Sequence, residues 1–465
     1  MSEVVILGAG AAGLAAAWRL AEANVQTVVI ERESSAGGLC RGSQLSGASF
    51  DIGPHVFKPR TVEVGALWDR FCDADYEPER QEDSPLYHEG GLYSSKREIA
   101  LAQPWRTQLR MAAQLLGRMI RPRPVRSSED WLVNVRGEGL FDSIYRSREE
   151  KLWGRSLGEI DAAWYAAQST PLPDRLGGAL FGGGKRVEDI EQSHYYSRPA
   201  HPRGGSGRLY ARLYEQLAAS SEVRFLFDTE VASIEHLARR VESVTVRGIA
   251  SGETHSLDTS HCISSISLRG LVECLSPELD AETRAAAARL AHRDLLVVNL
   301  VVDATSNVPY DLVHPLSSDV SLFRVTNFGN LSAAMRSEEG HQPICVEYNC
   351  ARGDELWGLE DSAARDLAIR ELIQMGLLAD QSAVLDAAVS RHREAYPVHS
   401  LDYRSTSDGL LERLRDFDNL QSIGRNGMFT YNQMSHSVEC GLLAAENALG
   451  ATHTLSVPPV FDLPF

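Results

Sequence analysis

Three glycines in six residues, Gly8-Ala9-Gly10-Ala11-Ala12-Gly13, stand between a β-rich apolar run, Val4-Val5-Ile6-Leu7, and an alanine-rich stretch, Leu14 to Ala23, that reads as a helix. The chemistry such a spacing serves is recognition of a pyrophosphate. Gly8 permits the tight turn, Gly10 lets the backbone approach phosphate oxygens with no Cβ in the way, and Gly13 lets the helix pack closely on the strand. Ala11 and Ala12 open the helix, whose free N–H groups and dipole face the anion. A second strand, Val25 to Ile30, ends in Glu31. A carboxylate at that point, about 20 residues on, accepts hydrogen bonds from ribose hydroxyls and repels a 2′-phosphate. Strand, turn, helix and strand together make a βαβ unit, so the chain opens as an α/β, Rossmann-like dinucleotide-binding domain.

The residues after Glu31 narrow the choice of dinucleotide. Arg32-Glu33 leads into Ser34-Ser35-Ala36-Gly37-Gly38-Leu39-Cys40-Arg41, a second glycine turn where a plain nicotinamide dehydrogenase would enter another helix. Asp51-Ile52-Gly53-Pro54-His55-Val56-Phe57 then closes the block. In these segments the chain resembles the flavoprotein superfamily of amine oxidases, protoporphyrinogen oxidases, phytoene desaturases and UDP-galactopyranose mutases. The resemblance implies FAD as cofactor, with Arg32, Gly38 and Leu39 among the residues that hold it and the second loop lying along the flavin side.

Those residues need a scaffold to which the chain returns. Pro202-Arg203-Gly204-Gly205-Ser206-Gly207 opens a helix to about Ala219, and Val223–Phe227 and Glu230–Ile234 read as strands. Alternating Val241, Val244 and Val246 suggest a β-ribbon, and Cys262 to Leu268 another strand. The resemblance places the backbone of Val231 at the adenine. Near the C-terminus Leu420–Ile423 reads as a strand, Gly424-Arg425-Asn426-Gly427 as a turn, Tyr431 to Met434 as a loop and Ser437–Ala448 as a helix whose N-terminal amides can meet the cofactor. We therefore expect FAD-binding segments at 1–85, 201–275 and 406–465, with Gly424, Arg425 and Met434 at the cofactor. An interleaved α+β substrate domain is expected at 86–200 and 276–405, with a helix Ala281–Leu290, strands Leu295–Val302 and Ile344–Tyr348, and a helix Ser362–Met375.

Three segments are similar to UDP-galactopyranose mutase and neighbouring protoporphyrinogen-oxidase-like proteins: Gly53 to Phe57, His292-Arg293-Asp294-Leu295, and Gly424-Arg425 through Tyr431 to Met434. That likeness implies His55 beside the flavin, Arg293 near a substrate diphosphate and Tyr431 near a sugar nucleotide. The departures matter more. Gln433 stands where mutases carry an aspartate, Leu322 where they carry a tyrosine, and the diphosphate-clamping arginine has only Arg186 and Arg198 as candidates. A mutase needs two cations on its diphosphate, because one screened ion pair contributes little. The first expectation is thus an FAD-dependent oxidoreductase that dehydrogenates a small sugar-derived or secondary-metabolic substrate by hydride transfer to flavin N5, with His55, Arg293 and Tyr431 catalytic. His55 is a candidate base, and equally a residue that only hydrogen-bonds its loop. The alternative is an isomerase in which reduced flavin attacks a sugar nucleotide. Trp153, Tyr195, Tyr196 and Tyr396 are further aromatic candidates for a substrate ring.

Composition bounds the partners. With 46 basic against 63 acidic residues, a net charge of −17, nonspecific nucleic-acid binding is not expected. Seven scattered cysteines without a Cys-x-x-Cys pair point to reduced, buried thiols and no metal site. The start of the chain lacks signal-peptide character, so a cytoplasmic location is expected. Trp105 to Arg126, with six arginines around an apolar helical stretch, is of a kind that can rest on an anionic membrane. Pro122 and Pro124 cut it short, which favours an ordinary helix with a solvated face, and membrane association is not expected.

Overall fold

The computed structural model describes residues 3–55, 59, 61–77, 83–166, 201–306 and 308–455. Tyr195, Tyr196, Arg186, Arg198, Val56 and Phe57 lie outside them. Two sheets organise the chain. The first has a parallel core in the order Val223–Leu226, Thr27–Ile30, Glu3–Leu7, Thr254–Ser264, Leu420–Ser422. The outer half of Thr254–Ser264 leaves this core and pairs antiparallel with Arg240–Gly248, which pairs in turn with Thr229–Leu237.

Val4 to Leu7 are all buried because the sheet is covered on both faces, which is why this strand reads as an unbroken apolar run. Val4 and Ile6 face a core built with the helices Ala11–Glu22, Val62–Cys72, Ser206–Ala218 and Met434–Ala448. Val5 and Leu7 face the antiparallel ribbon and the helices Leu268–Cys274 and Tyr403–Leu414. Ala287 and Leu290, from a stretch expected to belong to the substrate domain, pack into this second core.

The other sheet runs in the order Val384–Pro397, His292–Val302, Gln342–Cys350, Arg324–Asn327, Leu312–Pro315, Leu86–His88, Gly91–Tyr93. The strand His292–Val302 alternates: Leu296, Val298, Leu300 and Val302 face the helix Asp361–Gln374, whereas Leu295, Val297 and Val301 face Ala48 and Phe50 of the hairpin Gly42–Asp51. Most expected elements stand within a few residues of their sequence limits. The differences are local: Cys262 to Leu268 stops at Ser264, Gly424–Gly427 is a helical turn, and the C-terminal helix starts at Met434 rather than Ser437. The 14-residue strand Val384–Pro397 was not anticipated.

One carboxylate fastens the hairpin to the first sheet's helices. Asp51 is 2 % exposed and accepts from the backbone N–H groups of Ser206 (2.7 Å) and Gly207 (2.9 Å), capping the helix Ser206–Ala218 from elsewhere in the chain. Burial raises its pKa to about 6, the two amides working against that rise. Asp51→Ala leaves both donors unpaired in the interior and should destabilise the protein by about 2 kcal/mol. Chemical denaturation reads this directly, and an unchanged midpoint would show that the cap contributes nothing.

Candidate active site

Gly8, just past the end of the first strand, lies beside Ser265, just past the end of the neighbouring parallel strand; the Ser265 hydroxyl donates to the Leu7 carbonyl (2.8 Å). Strand order runs outward in both directions from this pair, and the crevice at the carboxyl ends of such a switch point is where open α/β sheets bind ligands. Gly13 is pressed onto the turn so closely that a Cβ there would lie 1.9 Å from the Gly8 carbonyl oxygen. Gly10 is the opposite case. A Cβ added to it meets nothing within 4 Å, so its missing side chain leaves open space at the helix start. No side chain caps that helix and its first turn holds no acidic residue.

A cavity of about 520 Å³ opens on this turn. Gly8, Gly10, Ala11 and Ala12 form one wall, and Gly13 lies beneath it as a packing residue. Glu31, Arg32 and Val231 line the cavity, as do Gly38 and Leu39 of the second glycine loop. That loop is laid against the first: the Gly37 N–H donates to the Ala9 carbonyl (2.8 Å). Gly424, Arg425 and Met434 line it too, so a second helix N-terminus opens on the same space. The expected cofactor residues are therefore gathered in one crevice from segments far apart in sequence.

The Glu31 carboxylate accepts from the backbone N–H of Ala9 (2.7 Å) and of Glu33 (2.9 Å). These bonds set its orientation and leave lone pairs on both oxygens for hydroxyl donors. Burial raises its pKa, with the two amide bonds pulling the other way. His55 lines the cavity, and its Nε2 lies 3.0 Å from the Leu39 carbonyl. A carbonyl only accepts, so Nε2 carries the proton. Burial lowers the His55 pKa to about 4, the Leu39 hydrogen bond opposing the fall and the Arg425 and Arg324 cations adding to it. Such an imidazole is neutral at pH 7 and a weak proton acceptor, so the geometry favours the loop-bonding role over the base role.

Tyr431 stacks on Tyr396, with centroids 5.6 Å apart and planes 10° from parallel, and meets Trp164 edge-on at 5.0 Å. The Arg425 guanidinium sits 4.8 Å from the Tyr431 centroid and donates to the carbonyls of Asn432 (2.7 Å) and Ala395 (3.2 Å). Beside them the half-buried Arg324 makes a bidentate pair with the fully buried Glu347 (2.6 and 2.7 Å). Gly53 passes directly over that pair; a Cβ there would lie 2.9 Å from both partners.

Arg293 stands elsewhere. Its guanidinium donates to the Asn349 carbonyl (2.9 Å), reaches Asp354 at 3.4 Å and fills the space left by Gly154. It is 8 % exposed and does not line this crevice. Trp153 is core, packed edge-on against Trp164 at 4.9 Å. Leu322, just before the strand Arg324–Asn327, is fully buried in the core against the second sheet. Sequence reading missed Ser265, Asn426, His392 and Glu394, all of which line the cavity. Ser265 was within reach, because the polar break Ser264-Ser265 comes after buried Cys262-Ile263 at the carboxyl end of a parallel strand. Asn426 donates to the Glu394 carbonyl (2.8 Å), a contact between remote segments that leaves no local signal.

The pocket fits FAD: an anion-receptive turn with room where Gly10 lacks a Cβ, a ribose-facing carboxylate, and a second helix N-terminus. Gly10→Val should therefore fold normally yet purify without flavin, whereas Gly13→Ala, which collides with backbone, should lower the melting temperature of the apoprotein itself. Equal thermal damage with full flavin content in both would contradict this placement. The second test is pH. The unfolded chain takes up a proton at His55 near pH 6.5, which the folded chain refuses down to about pH 4. Stability contributed by neutral His55 is thus full above pH 6.5 and lost as pH falls through that window, on the order of 2–3 kcal/mol. The gap in unfolding free energy between wild type and His55→Gln should shrink over that range; a constant gap would refute the neutral, loop-bonded imidazole.

Comparison with known proteins agrees with this geometry. The family model described as flavin-containing amine oxidoreductase matches residues 11–442. Among curated proteins, the zeta-carotene-forming phytoene desaturase of Myxococcus xanthus is 30 % identical over 153 residues, covering 30 % of this chain and 29 % of that protein. The 1-hydroxycarotenoid 3,4-desaturase of Flavobacterium sp. (strain P99-3) is 44 % identical over 57 residues, 12 % of each chain. The matched stretches thus span less than a third of these relatives' length. Among solved structures, reduced UDP-galactopyranose mutase superposes with a TM-score of 0.78 at 20 % identity, covering 97 % of this chain and 94 % of that one. A putative protoporphyrinogen oxidase from Exiguobacterium sp. 255-15 gives 0.72 at 14 % identity, covering 97 % and 99 %. At such identities the likeness is one of fold. With the family match spanning nearly the whole chain and the crevice built for a flavin dinucleotide, the protein belongs to the flavin-containing amine oxidoreductase family, with FAD as its cofactor.

Proposed function

We propose that this FAD-dependent oxidoreductase dehydrogenates a small organic substrate, sugar-derived or secondary-metabolic, held between the tyrosine pair Tyr396–Tyr431 and the Arg425 end of the cavity. Bound FAD would supply a two-electron acceptor for hydride, and the accompanying proton would leave the substrate to solvent water at the open crevice. The chain's own residues do the rest. Gly8, Gly10, Ala11 and Ala12 hold the pyrophosphate, and Glu31, with Arg32 alongside, takes the adenosine end together with the backbone at Val231. Gly38, Leu39 and neutral His55 fix the second loop, while Gly424 and Met434 bring the last helix to the cofactor. Arg425 is held by two carbonyls and keeps a fixed positive charge where negative charge develops during reduction. Tyr431, backed by buried Trp164, shields that end from water and offers an aromatic surface to a substrate.

The observation that carries the redox reading over the isomerase reading is the environment of Arg293. Bonded to Asn349 and Asp354 behind Gly154, it is not available to clamp a diphosphate. Gln433 in place of the aspartate of mutases supports the same choice. Arg293 accordingly enters the proposal as a structural cation, and the boundaries 1–85, 86–200, 201–275, 276–405 and 406–465 remain our proposed division between cofactor and substrate segments.

Anaerobic mixing of the yellow holoenzyme with panels of amines, polyenes, amino sugars and sugar nucleotides tests the proposal. One class should bleach the flavin, with oxygen or another acceptor restoring the colour. Tyr431→Ala should slow that bleaching at least about ten-fold by loosening the substrate's position, while Arg293→Lys leaves it within about two-fold. Bleaching by none of them, together with sugar-nucleotide isomerisation that begins only after dithionite treatment, would establish the isomerase instead.

A further inference from the structure

The helix Trp105–Ile120 turns its apolar side outward. Its inner side is fixed to the body: Met111 is buried, the Gln114 side chain accepts from the Gly139 N–H (3.0 Å), and Arg118 pairs with Glu138. At about 3.6 residues per turn, Trp105, Leu109, Leu116, Met119 and Ile120 fall together on the opposite side, and they are 65, 61, 59, 50 and 78 % exposed. Ala112 and Ala113 complete the stripe, and exposed Leu101 and Val125 extend it at either end. An ordinary amphipathic helix points this stripe at the core. Here the solvated face is the apolar one.

Charge identifies what covers it. Residues 99–128 contain six arginines and no aspartate or glutamate, within a chain of 63 acidic residues and net charge −17. Arg106, Arg110, Arg121 and Arg126 are exposed and have no carboxylate partner among the described residues. An apolar stripe of Trp, Leu and Ile bordered by unpaired arginines is the composition of a helix that lies in a membrane interface. A two-fold contact with a second copy would bring these like-charged rows face to face, whereas anionic headgroups neutralise them. No helix among the described residues is long and apolar enough to cross a membrane, so the contact is peripheral. We propose that the face formed by Trp105–Ile120 with Leu101 and Val125 docks this enzyme on an anionic lipid surface. The proposal is independent of which substrate the flavin site takes.

Flotation of the purified holoenzyme with vesicles tests it. Binding to phosphatidylcholine vesicles containing about one-third phosphatidylglycerol should exceed binding to phosphatidylcholine alone at least about ten-fold at roughly 0.1 M salt, and fall at roughly 0.5 M. Leu109→Glu with Leu116→Glu, at exposed positions outside the flavin crevice, should abolish flotation and leave flavin content and melting temperature unchanged. Arg106→Glu with Arg110→Glu should remove the preference for anionic vesicles. Wild type that fails to float, or flotation that survives the double leucine change, overturns the proposal. So does a stable dimer that binds no vesicles and becomes monomeric in the leucine variant, which would assign the face to a second copy.

Discussion

The structure depends on one close approach of backbone to backbone. The helix after the first strand starts so near the strand's end that only hydrogen fits at Gly13, and this closeness turns its unpaired N–H groups toward an open crevice rather than into a loop. Three other cofactor segments are placed by contact with that turn. Ser265 bonds to its carbonyl side, the second glycine loop bonds to Ala9, and a Cβ on Gly424 would touch Ala12 at 3.1 Å. An anion site made of main-chain donors does not move with rotamers, which suits a cofactor that must stay in register with a substrate through many turnovers.

The second sheet is tied to this core by polar contacts that bear on the reaction end of the crevice. Arg425 reaches the carbonyl of Ala395, Asn426 that of Glu394, and Gly53 rides over the Arg324–Glu347 pair. Removing Arg324 would strand the buried Glu347 carboxylate, a far larger cost than the net worth of the pair itself. Burial holds His55 neutral, and these cations add to it. Two guanidiniums and burial act in the same direction, and the Leu39 carbonyl takes the one proton that remains.

The features legible in the sequence are those that local geometry determines. The glycine spacing, the carboxylate after the second strand, the doubled glycine loop and the return of the chain near Gly424 all have main-chain causes that a short window displays. Gly8, Gly10, Glu31, Gly38, Val231, Arg425 and Met434 accordingly lie in one cavity. The surroundings of Arg293 were not legible because the motif around it is local while its environment is not: Gly154 reaches it from one remote segment, and Asn349 and Asp354 from another. The strand Val384–Pro397 was invisible for a related reason. Its residues alternate weakly and carry charges on the exposed edge of the sheet, so neither a buried run nor a clean period of two marks it. Likewise, the sequence marked Trp105–Arg126 as amphipathic but could not say which face the fold would hide.

A crystal structure of the protein with FAD measures the central claim most directly. The pyrophosphate should lie within hydrogen-bonding distance of the N–H groups of Ala11 and Ala12, over the space left by Gly10, with adenosine ribose hydroxyls on Glu31 and the ring end of the cofactor beside Arg425 and Met434. A pyrophosphate seated away from the Gly8–Gly13 turn, or a ribose that leaves Glu31 bonded only to Ala9 and Glu33, would contradict that claim.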